Sequence, residues 1–211
     1  MSITLIIVII TAIVSFIAFS NQKIIDDFIF DPPAVTNRNQ WYRFFSAALI
    51  HGDMGHLIFN MLSFYSFGEY VEANFRYLFG PLGPLLYIAL YVISQFVCLL
   101  PTYFKNKDNY YYKSLGASGA ISAVIFAGIF LSPLQKIGIM FIPIGIPGFI
   151  FGFIYLAITA YLDKKGAGHI NHSAHLFGAL AGIILLIIFG YLFSPYDVLQ
   201  NFIYQLKGFN A

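Results

Sequence analysis

The chain has 211 residues, of which 59% are hydrophobic and 9% are charged, and its mean hydropathy is +0.79. These values exclude an ordinary soluble domain and indicate an integral membrane protein. The formal net charge of +2 comes without a basic tract, so nucleic acid is not an expected partner.

Apolar stretches long enough to cross a bilayer recur from one end of the chain to the other. The best count is six, with expected bounds of about 3–19, 54–72, 82–104, 115–131, 137–162 and 169–193. The first stretch lacks a basic n-region and a cleavage site, so we expect it to be retained as a helix. Pro143, Gly145, Pro147 and Gly148 interrupt the fifth stretch, which should therefore be kinked and less rigid than the others.

Two further segments are expected to lie at the membrane surface. The long connection at 21–55 contains the aromatic run 41–45, which is typical of an element at headgroup level. The tail at 194–211 places Val198, Phe202, Ile203 and Leu206 on one helical face. We thus predict an all-α membrane protein with a six-helix domain at 1–193 and a short amphipathic tail.

Ser118 lies in the small-residue window Gly-Ala-Ser-Gly-Ala at 116–120, at the start of the fourth stretch. Near a helix N-terminus, a serine hydroxyl lies beside unpaired backbone N–H groups and the positive end of the helix dipole. These are the components of a nucleophile with its own oxyanion site. Taken alone, however, such a window more often serves close helix packing.

Three polar clusters are predicted to meet at one depth. Successive spans alternate in direction, so the starts of the second, fourth and sixth lie on the same side of the membrane. This brings Ser118 to the level of His175 and of His56 and Asn60, which share one helix face. Polar side chains at membrane depth almost always face the protein interior.

Glycines beside these residues would let the helices approach closely. Gly116 and Gly119 flank Ser118, and Gly178 and Gly182 form a G-x-x-x-G pattern after His175. Backbones at such a distance allow a hydrogen bond between the serine and histidine side chains, at about 2.6–3.2 Å.

The expected chemistry is that of a serine protease. His175 would take the proton from Ser118 Oγ and then give it to the leaving amine. A buried imidazole stays neutral and can accept that proton. His56 and Asn60 would donate hydrogen bonds to the oxyanion, each contributing about 2.7–4 kcal/mol. No acidic residue is placed to orient His175, so a dyad is predicted rather than a triad.

These motifs, in this order and over essentially the whole chain, resemble the rhomboid family of intramembrane serine proteases. The residues that carry the resemblance are Trp41 and Arg43, His51 with His56 and Asn60, Gly116, Ser118 and Gly119, and Ala174 and His175 with Gly178 and Gly182. The resemblance implies a compact six-helix bundle with a membrane-embedded first loop. It also implies hydrolysis of peptide bonds in or near transmembrane segments of single-pass or multi-pass substrates, without a cofactor.

The resemblance also implies roles for single residues. Ser118 and His175 match the catalytic dyad, and His56 and Asn60 match the oxyanion residues, with Gly116 and Gly119 beside them. Trp41, Arg43, Glu72, Gly178 and Gly182 match positions of structural support, and the fifth helix with the loop after it would be the gate and cap. Ser122 is a departure, because related bacterial enzymes often have a tyrosine there, near the histidine. His51 is expected to be a hydrogen-bonding residue rather than a second base.

Other functions are less well supported. His172 and His175, with His169, could be metal ligands, but no carboxylate or cysteine is within reach, so no metal is predicted. The His-Glu-x-x-His motif of zinc proteases is absent, and no internal repeat suggests a transporter. The remaining alternative is a pseudoprotease that binds transmembrane clients without cutting them. Such proteins lose the nucleophile or the base, whereas this chain has both Ser118 and His175.

The expected location is the cell membrane of a prokaryote, as a multi-pass protein. The family's usual orientation would place the active site on the outer side. The distribution of Lys and Arg favours the reverse orientation.

Overall fold

The computed structural model describes residues 1–139, 142–165 and 171–210. Within these ranges the chain is mostly helical, with one two-stranded sheet. The helices are α1 Ile3–Ala18, α2 Gln22–Phe28, α3 Pro32–Arg38, α4 Arg43–Ser46, α5 Met54–Phe79, α6 Gly83–Asn106, α7 Ser118–Leu131, α8 Gly148–Lys165, α9 His172–Phe193 and α10 Val198–Lys207. The strands are β1 Lys136–Ile139 and β2 Ile142–Pro147.

Two stretches of the described residues are long and apolar enough to cross a membrane. One is 54–106, which contains α5 and α6 joined by a short 3₁₀ turn, and the other is α9. Helices α1 and α7 are apolar but shorter. The predicted number of six crossings therefore stays a prediction.

Helix α7 lies at the centre of the structure, and nearly all of its residues are buried. Its tightest contact is with α9, where a Cβ atom at Gly178 would lie 2.1 Å from the Gly119 carbonyl oxygen. A Cβ atom at Gly182 would lie equally close, 2.1 Å from the carbonyl oxygen of Ala123. These two glycines therefore lie where α9 meets the backbone of α7, and their role as structural support stays a prediction.

The Glu72 carboxylate of α5 joins α1 to α5 through hydrogen bonds. It accepts hydrogen bonds from the backbone N–H groups of Ile3 and Thr4, at 3.1 and 2.9 Å, and from the Thr4 hydroxyl at 3.0 Å. A carboxylate at this position also complements the positive N-terminal end of α1. Arg76 pairs with the same carboxylate at 2.8 Å, so this buried charge is fully satisfied.

The first loop, between α1 and α5, contains the short helices α2, α3 and α4, and Arg43 links α4 to the end of α2. The buried guanidinium donates to the carbonyl oxygens of Asp26 and Ile29, at 2.8 and 2.7 Å, and to the Gln40 side chain. Trp41 is about half exposed, and its ring stacks on Phe44 with centroids 5.7 Å apart. Both residues thus contribute to the packing of the loop.

The predicted fifth span is wrong at its start. Residues 136–139 and 142–147 form an antiparallel hairpin, and α8 begins only at Gly148. The segment alternates Ile with Gly or Pro, and Pro143 and Pro147 cannot supply helical N–H donors, so a continuous helix is disfavoured. The interruption expected from the prolines and glycines is therefore a change of secondary structure rather than a kink.

The tail forms α10, and part of its predicted apolar face packs on the protein itself. Val198 is buried, and the ring of Phe202 stacks on Phe130 of α7 at 4.2 Å. Ile203 is exposed. The division of the chain at residue 194 and the membrane-surface position of the tail stay predictions.

The α7–α9 contact predicts a strong effect of Gly182→Val. The added side chain meets the backbone of Ala123, which cannot move without separating the two helices, so the free energy of unfolding should fall by about 1–3 kcal/mol. Denaturant unfolding in detergent measures this change. Gly208→Val is the matched control, because a Cβ atom there meets nothing within 4 Å. Equal stability of the two variants would contradict the prediction.

Candidate active site

Ser118 and His175, which are 57 positions apart in the sequence, are in direct contact. Ser118 Oγ lies 2.6 Å from His175 Nε2, which is a short hydrogen bond, and both residues are partly buried. Each residue lies in the first turn or two of its helix, and α7 and α9 both begin at this end of the protein. The predicted meeting of these two side chains is therefore present in the structure.

The conformation of Gly116 positions Ser118. Gly116 has φ +109°, which side-chain-bearing residues rarely adopt, and its N–H donates to the carbonyl oxygen of Ala47 at 2.8 Å. Ser118 is the first residue of α7, and among the described residues no side chain caps this helix at Ala117. The free N–H groups of the first turn are consequently available to an anion.

Gly119 was expected to contact substrate, but in the structure it is surrounded by other parts of the protein. A Cβ atom there would lie 2.5 Å from Cys98 Sγ and 3.3 Å from the carbonyl oxygen of Ala174. The packing of α7 against α6 and α9 therefore requires glycine at this position. A role of Gly119 in substrate binding stays a prediction.

The start of α9 is fixed by Asn171. Its side chain accepts hydrogen bonds from the Ala174 N–H at 3.0 Å and from the Thr102 hydroxyl at 3.1 Å. The first of these caps the helix, and the second ties it to α6. His175 follows one turn later and thus projects from a fixed backbone.

His56 and Asn60 lie over the segment that precedes Ser118. Asp53 caps α5 by accepting the His56 N–H at 2.8 Å. A Cβ atom at Gly116 would lie 3.0 Å from His56 Nε2 and 3.8 Å from Asn60 Nδ2. Asn60 Nδ2 is buried and has no hydrogen-bond partner among the described residues, so it is a free donor beside Gly116.

His51 supports this arrangement from the loop before α5. Its ring is buried and lies 4.9 Å from the ring of His56, edge to face. Its Nδ1 is 2.9 Å from Ser15 Oγ, and because that hydroxyl donates to the carbonyl oxygen of Leu49, Nδ1 carries the hydrogen and donates to it. The predicted hydrogen-bonding role of His51 is confirmed. Burial first, and then the neighbouring His56, lowers the pKa of His51 to about 4.

Tyr155 of α8 is a neighbour of His175 that the sequence analysis missed. Its hydroxyl lies 3.1 Å from His175 Nδ1 and 3.1 Å from Ser122 Oγ. The chain has 15 tyrosines, and nothing in the local sequence distinguishes this one. Only the packing of α8 beside α7 and α9 brings it to the histidine.

A metal centre has no support in the described residues. No group of three or more His, Cys, Asp or Glu among residues 1–139, 142–165 and 171–210 is placed to hold a metal ion. His169, which was considered as a third ligand with His172 and His175, lies outside the described residues. The expectation of a metal-free site stays a prediction.

A helical protein with a serine hydroxyl hydrogen-bonded to a partly buried histidine, beside free donors, has the arrangement of a serine hydrolase site. Comparison with known families agrees with the resemblance. Residues 38–192, which are well over half of the chain, match the Rhomboid domain. The chain therefore belongs to the rhomboid family, whose members are integral to membranes.

Similar proteins occur in mitochondria and in a bacterium. RHOMBOID-like protein 12, mitochondrial, of Arabidopsis thaliana is 29% identical over 66% of this chain and 44% of its own length. Presenilin-associated rhomboid-like protein A, mitochondrial, of Danio rerio is 33% identical over 63% of this chain and 33% of its own length. A candidate rhomboid protease, YdcA of Bacillus subtilis (strain 168), is 27% identical over 69% of this chain and 66% of its own length. The matched region thus spans less than half of the two mitochondrial relatives, and the expected prokaryotic cell membrane is not supported over other membranes.

The low pKa of His51 predicts that the free energy of unfolding decreases as the pH is lowered. Between the ordinary pKa of 6.5 and about 4, the unfolded imidazole binds a proton while the folded one does not, so lowering the pH favours unfolding. Between about pH 7 and pH 5, the free energy of unfolding should fall by about 2 kcal/mol on this account. His51→Asn should remove this part of the pH dependence. Denaturant titrations of both proteins in detergent measure it, and identical pH slopes would contradict the assignment.

Proposed function

We propose that this protein is an intramembrane serine endopeptidase that hydrolyses peptide bonds in or near transmembrane segments of other membrane proteins. The observation that carries the proposal is the 2.6 Å contact between Ser118 Oγ and His175 Nε2. A serine hydroxyl becomes a nucleophile when an adjacent base takes its proton, and this contact supplies such a base. Membership of the rhomboid family supports the same reaction class.

In the proposed reaction, Ser118 Oγ attacks the carbonyl carbon of the substrate while its proton passes to His175 Nε2. The C–N bond then breaks as His175 returns that proton to the leaving amine, which leaves an acyl group on Ser118. Water next attacks the acyl carbon and gives its proton to His175. The ester bond then breaks as His175 returns this proton to Ser118 Oγ, which releases the carboxylic acid and restores the serine, so no cofactor or metal is required.

The oxyanion of each tetrahedral intermediate would lie between the start of α7 and the start of α5. Ser118 contributes its backbone N–H, and Asn60 and His56 contribute side-chain donors. The unpartnered Asn60 Nδ2 supports this assignment, because a buried donor without a partner carries a cost that a transition-state oxyanion would remove. Gly116 leaves room for these side chains to reach the oxyanion.

The membrane supplies the substrates. We infer that α1, α5, α6, α7, α8 and α9 each cross the bilayer, and that the partners are single-pass or multi-pass proteins in the same membrane. The outward side chains of α1 and α8 support this, since Ile10, Ile13 and Phe16 of α1 and Phe153 and Ile158 of α8 are exposed and apolar. Both mitochondrial and bacterial membranes are consistent with the relatives.

Labelling with a fluorophosphonate tests the proposal directly. This probe phosphonylates an activated serine, so the detergent-solubilised protein should become labelled. Ser118→Ala should abolish labelling, and His175→Ala should slow it by about 10³-fold or more. Ser20→Ala, at an exposed serine after α1, should label as the wild type does. Folded wild-type protein that is not labelled would contradict the proposal and favour the pseudoprotease that binds clients without cleaving them.

The oxyanion assignment predicts the effect of Asn60→Ala. Loss of one donor should lower the rate constant of substrate cleavage by about 10²–10³-fold, with little change in KM, because the bond forms only in the transition state. Cleavage of a transmembrane reporter substrate in proteoliposomes measures both constants. Asn74→Ala is the matched control, since Asn74 lies on the same helix and, among the described residues, its side chain bonds only to the Tyr70 carbonyl oxygen within α5. Equal cleavage rates for the two variants would contradict the assignment of Asn60 to the oxyanion site.

A further inference from the structure

We propose that Tyr155 is the positioning residue of His175, and that α8 therefore orients the imidazole for reaction only when it lies against α7 and α9. This inference rests on the proposed function and adds a mode of regulation to it. It starts from three residues in contact, each on a different helix: Ser122 on α7, Tyr155 on α8 and His175 on α9. Tyr155 is the member that joins the other two.

The geometry places the Tyr155 hydroxyl at the end of the imidazole that faces away from Ser118. The hydroxyl lies 3.1 Å from His175 Nδ1, while Nε2 is in contact with Ser118 Oγ. The two rings are nearly parallel, at 6°, with centroids 6.5 Å apart. At that separation there is no close contact between ring faces, so the interaction is carried by the hydroxyl and Nδ1.

The proton positions follow from the proposed reaction. His175 Nε2 must be free to accept the serine proton, so the neutral ring carries its hydrogen on Nδ1. Nδ1–H then donates to the Tyr155 oxygen, and the tyrosine O–H donates to Ser122 Oγ. This chain of two hydrogen bonds selects the tautomer and the ring orientation that the reaction needs, which is the task of an aspartate in a triad. Unlike an aspartate, the tyrosine is neutral and carries no charge to be desolvated.

The same contacts account for Ser122 as a departure from related enzymes. A tyrosine on α7 at this position would support the histidine from the nucleophile's own helix. Here the position holds a small hydroxyl, which is buried and leaves room for a tyrosine from α8. Support of the histidine is thereby transferred from a central helix to a peripheral one.

Helix α8 has fewer tight contacts than α7, so its position can vary more easily. Much of its surface is exposed, including Phe153, Ile154 and Tyr161, whereas nearly all of α7 is buried. A cavity of about 350 Å³ lies between α8 and α9, lined by Tyr155, Ile158 and Thr159 and by His172 and His175. Movement of α8 away from α9 would break the Tyr155–His175 hydrogen bond without disturbing the α7–α9 contact.

Tyr155→Phe tests the positioning role. The phenyl ring keeps its packing on Phe126 and Phe151, so the variant should still fold and the binding constant of the fluorophosphonate should not change. The maximal rate of inactivation should fall about tenfold, because one hydrogen bond to the imidazole is lost. Tyr161→Phe, at an exposed tyrosine of the same helix, should leave this rate unchanged.

A second pair of variants tests the role of helix position. A Cβ atom at Gly152 would lie 3.3 Å from Phe126 Cε1, so Gly152→Leu should displace α8 from α7, and Gly152→Ala should do so less. If α8 acts through Tyr155, Gly152→Leu slows inactivation, and adding Tyr155→Phe causes no further loss. Gly138→Leu is the control, because a Cβ atom there meets nothing within 4 Å.

The outcomes separate this inference from the proposed function. Wild-type protein that is labelled at Ser118, with Tyr155→Phe labelled at the same rate, overturns the positioning role and leaves the protease proposal intact. The dependence on α8 is overturned by either of two results. One is that the rate losses of Gly152→Leu and Tyr155→Phe multiply in the double variant, and the other is that both Gly152 variants keep full activity. Folded wild-type protein that is never labelled overturns both proposals.

Discussion

The close packing of α9 on α7 is the constraint on which the rest of the structure depends. At Gly178 and Gly182, the backbone of α9 meets the backbone of α7 at Gly119 and Ala123, with no room for a Cβ atom between them. His175 lies one turn before Gly178, and Ser118 directly precedes Gly119. Because both helices begin at the same end of the protein, contact of their backbones brings these two side chains together. The Ser118–His175 hydrogen bond is thus a consequence of glycine placement as much as of the two residues themselves.

The first loop depends on a second constraint, which is the fixed backbone before α7. Phe30 and Ser114 exchange backbone hydrogen bonds at 2.9 and 3.1 Å, and the Gly116 N–H bonds to the Ala47 carbonyl oxygen. The side-chain amide of Gln95 in α6 donates a hydrogen bond to the Phe44 carbonyl oxygen at 2.9 Å. The loop is consequently built into the protein beside the candidate site. At its end His51 packs against His56 of α5, whose ring lies beside Gly116.

Buried polar groups divide into two kinds in this apolar chain. Glu72 and Arg43 have their hydrogen bonds satisfied and hold elements together. By contrast, six buried polar side-chain atoms of the described residues have no partner. Two of them are the amide donors Asn60 Nδ2, beside Gly116, and Asn171 Nδ2, at the start of α9. Unsatisfied donors are rare in proteins because each carries a desolvation cost. Their position fits a site that receives a polar group from another molecule.

The membrane character and the approximate bounds of most long helices could be predicted from the sequence, because apolar periodicity is a local property. Residue spacing likewise indicated the residues of the candidate site, whose roles stay predictions. The pairing of the small-residue faces could also be anticipated, since glycines mark where backbones can meet. Two features were decided only by tertiary structure. The paired strands at 136–139 and 142–147 replaced the start of the fifth helix, because an Ile-rich segment with prolines and glycines is ambiguous until a strand partner is present. Tyr155 became the neighbour of His175 only because α8 packs against both α7 and α9, and a contact between residues from three helices leaves no pattern in any one of them.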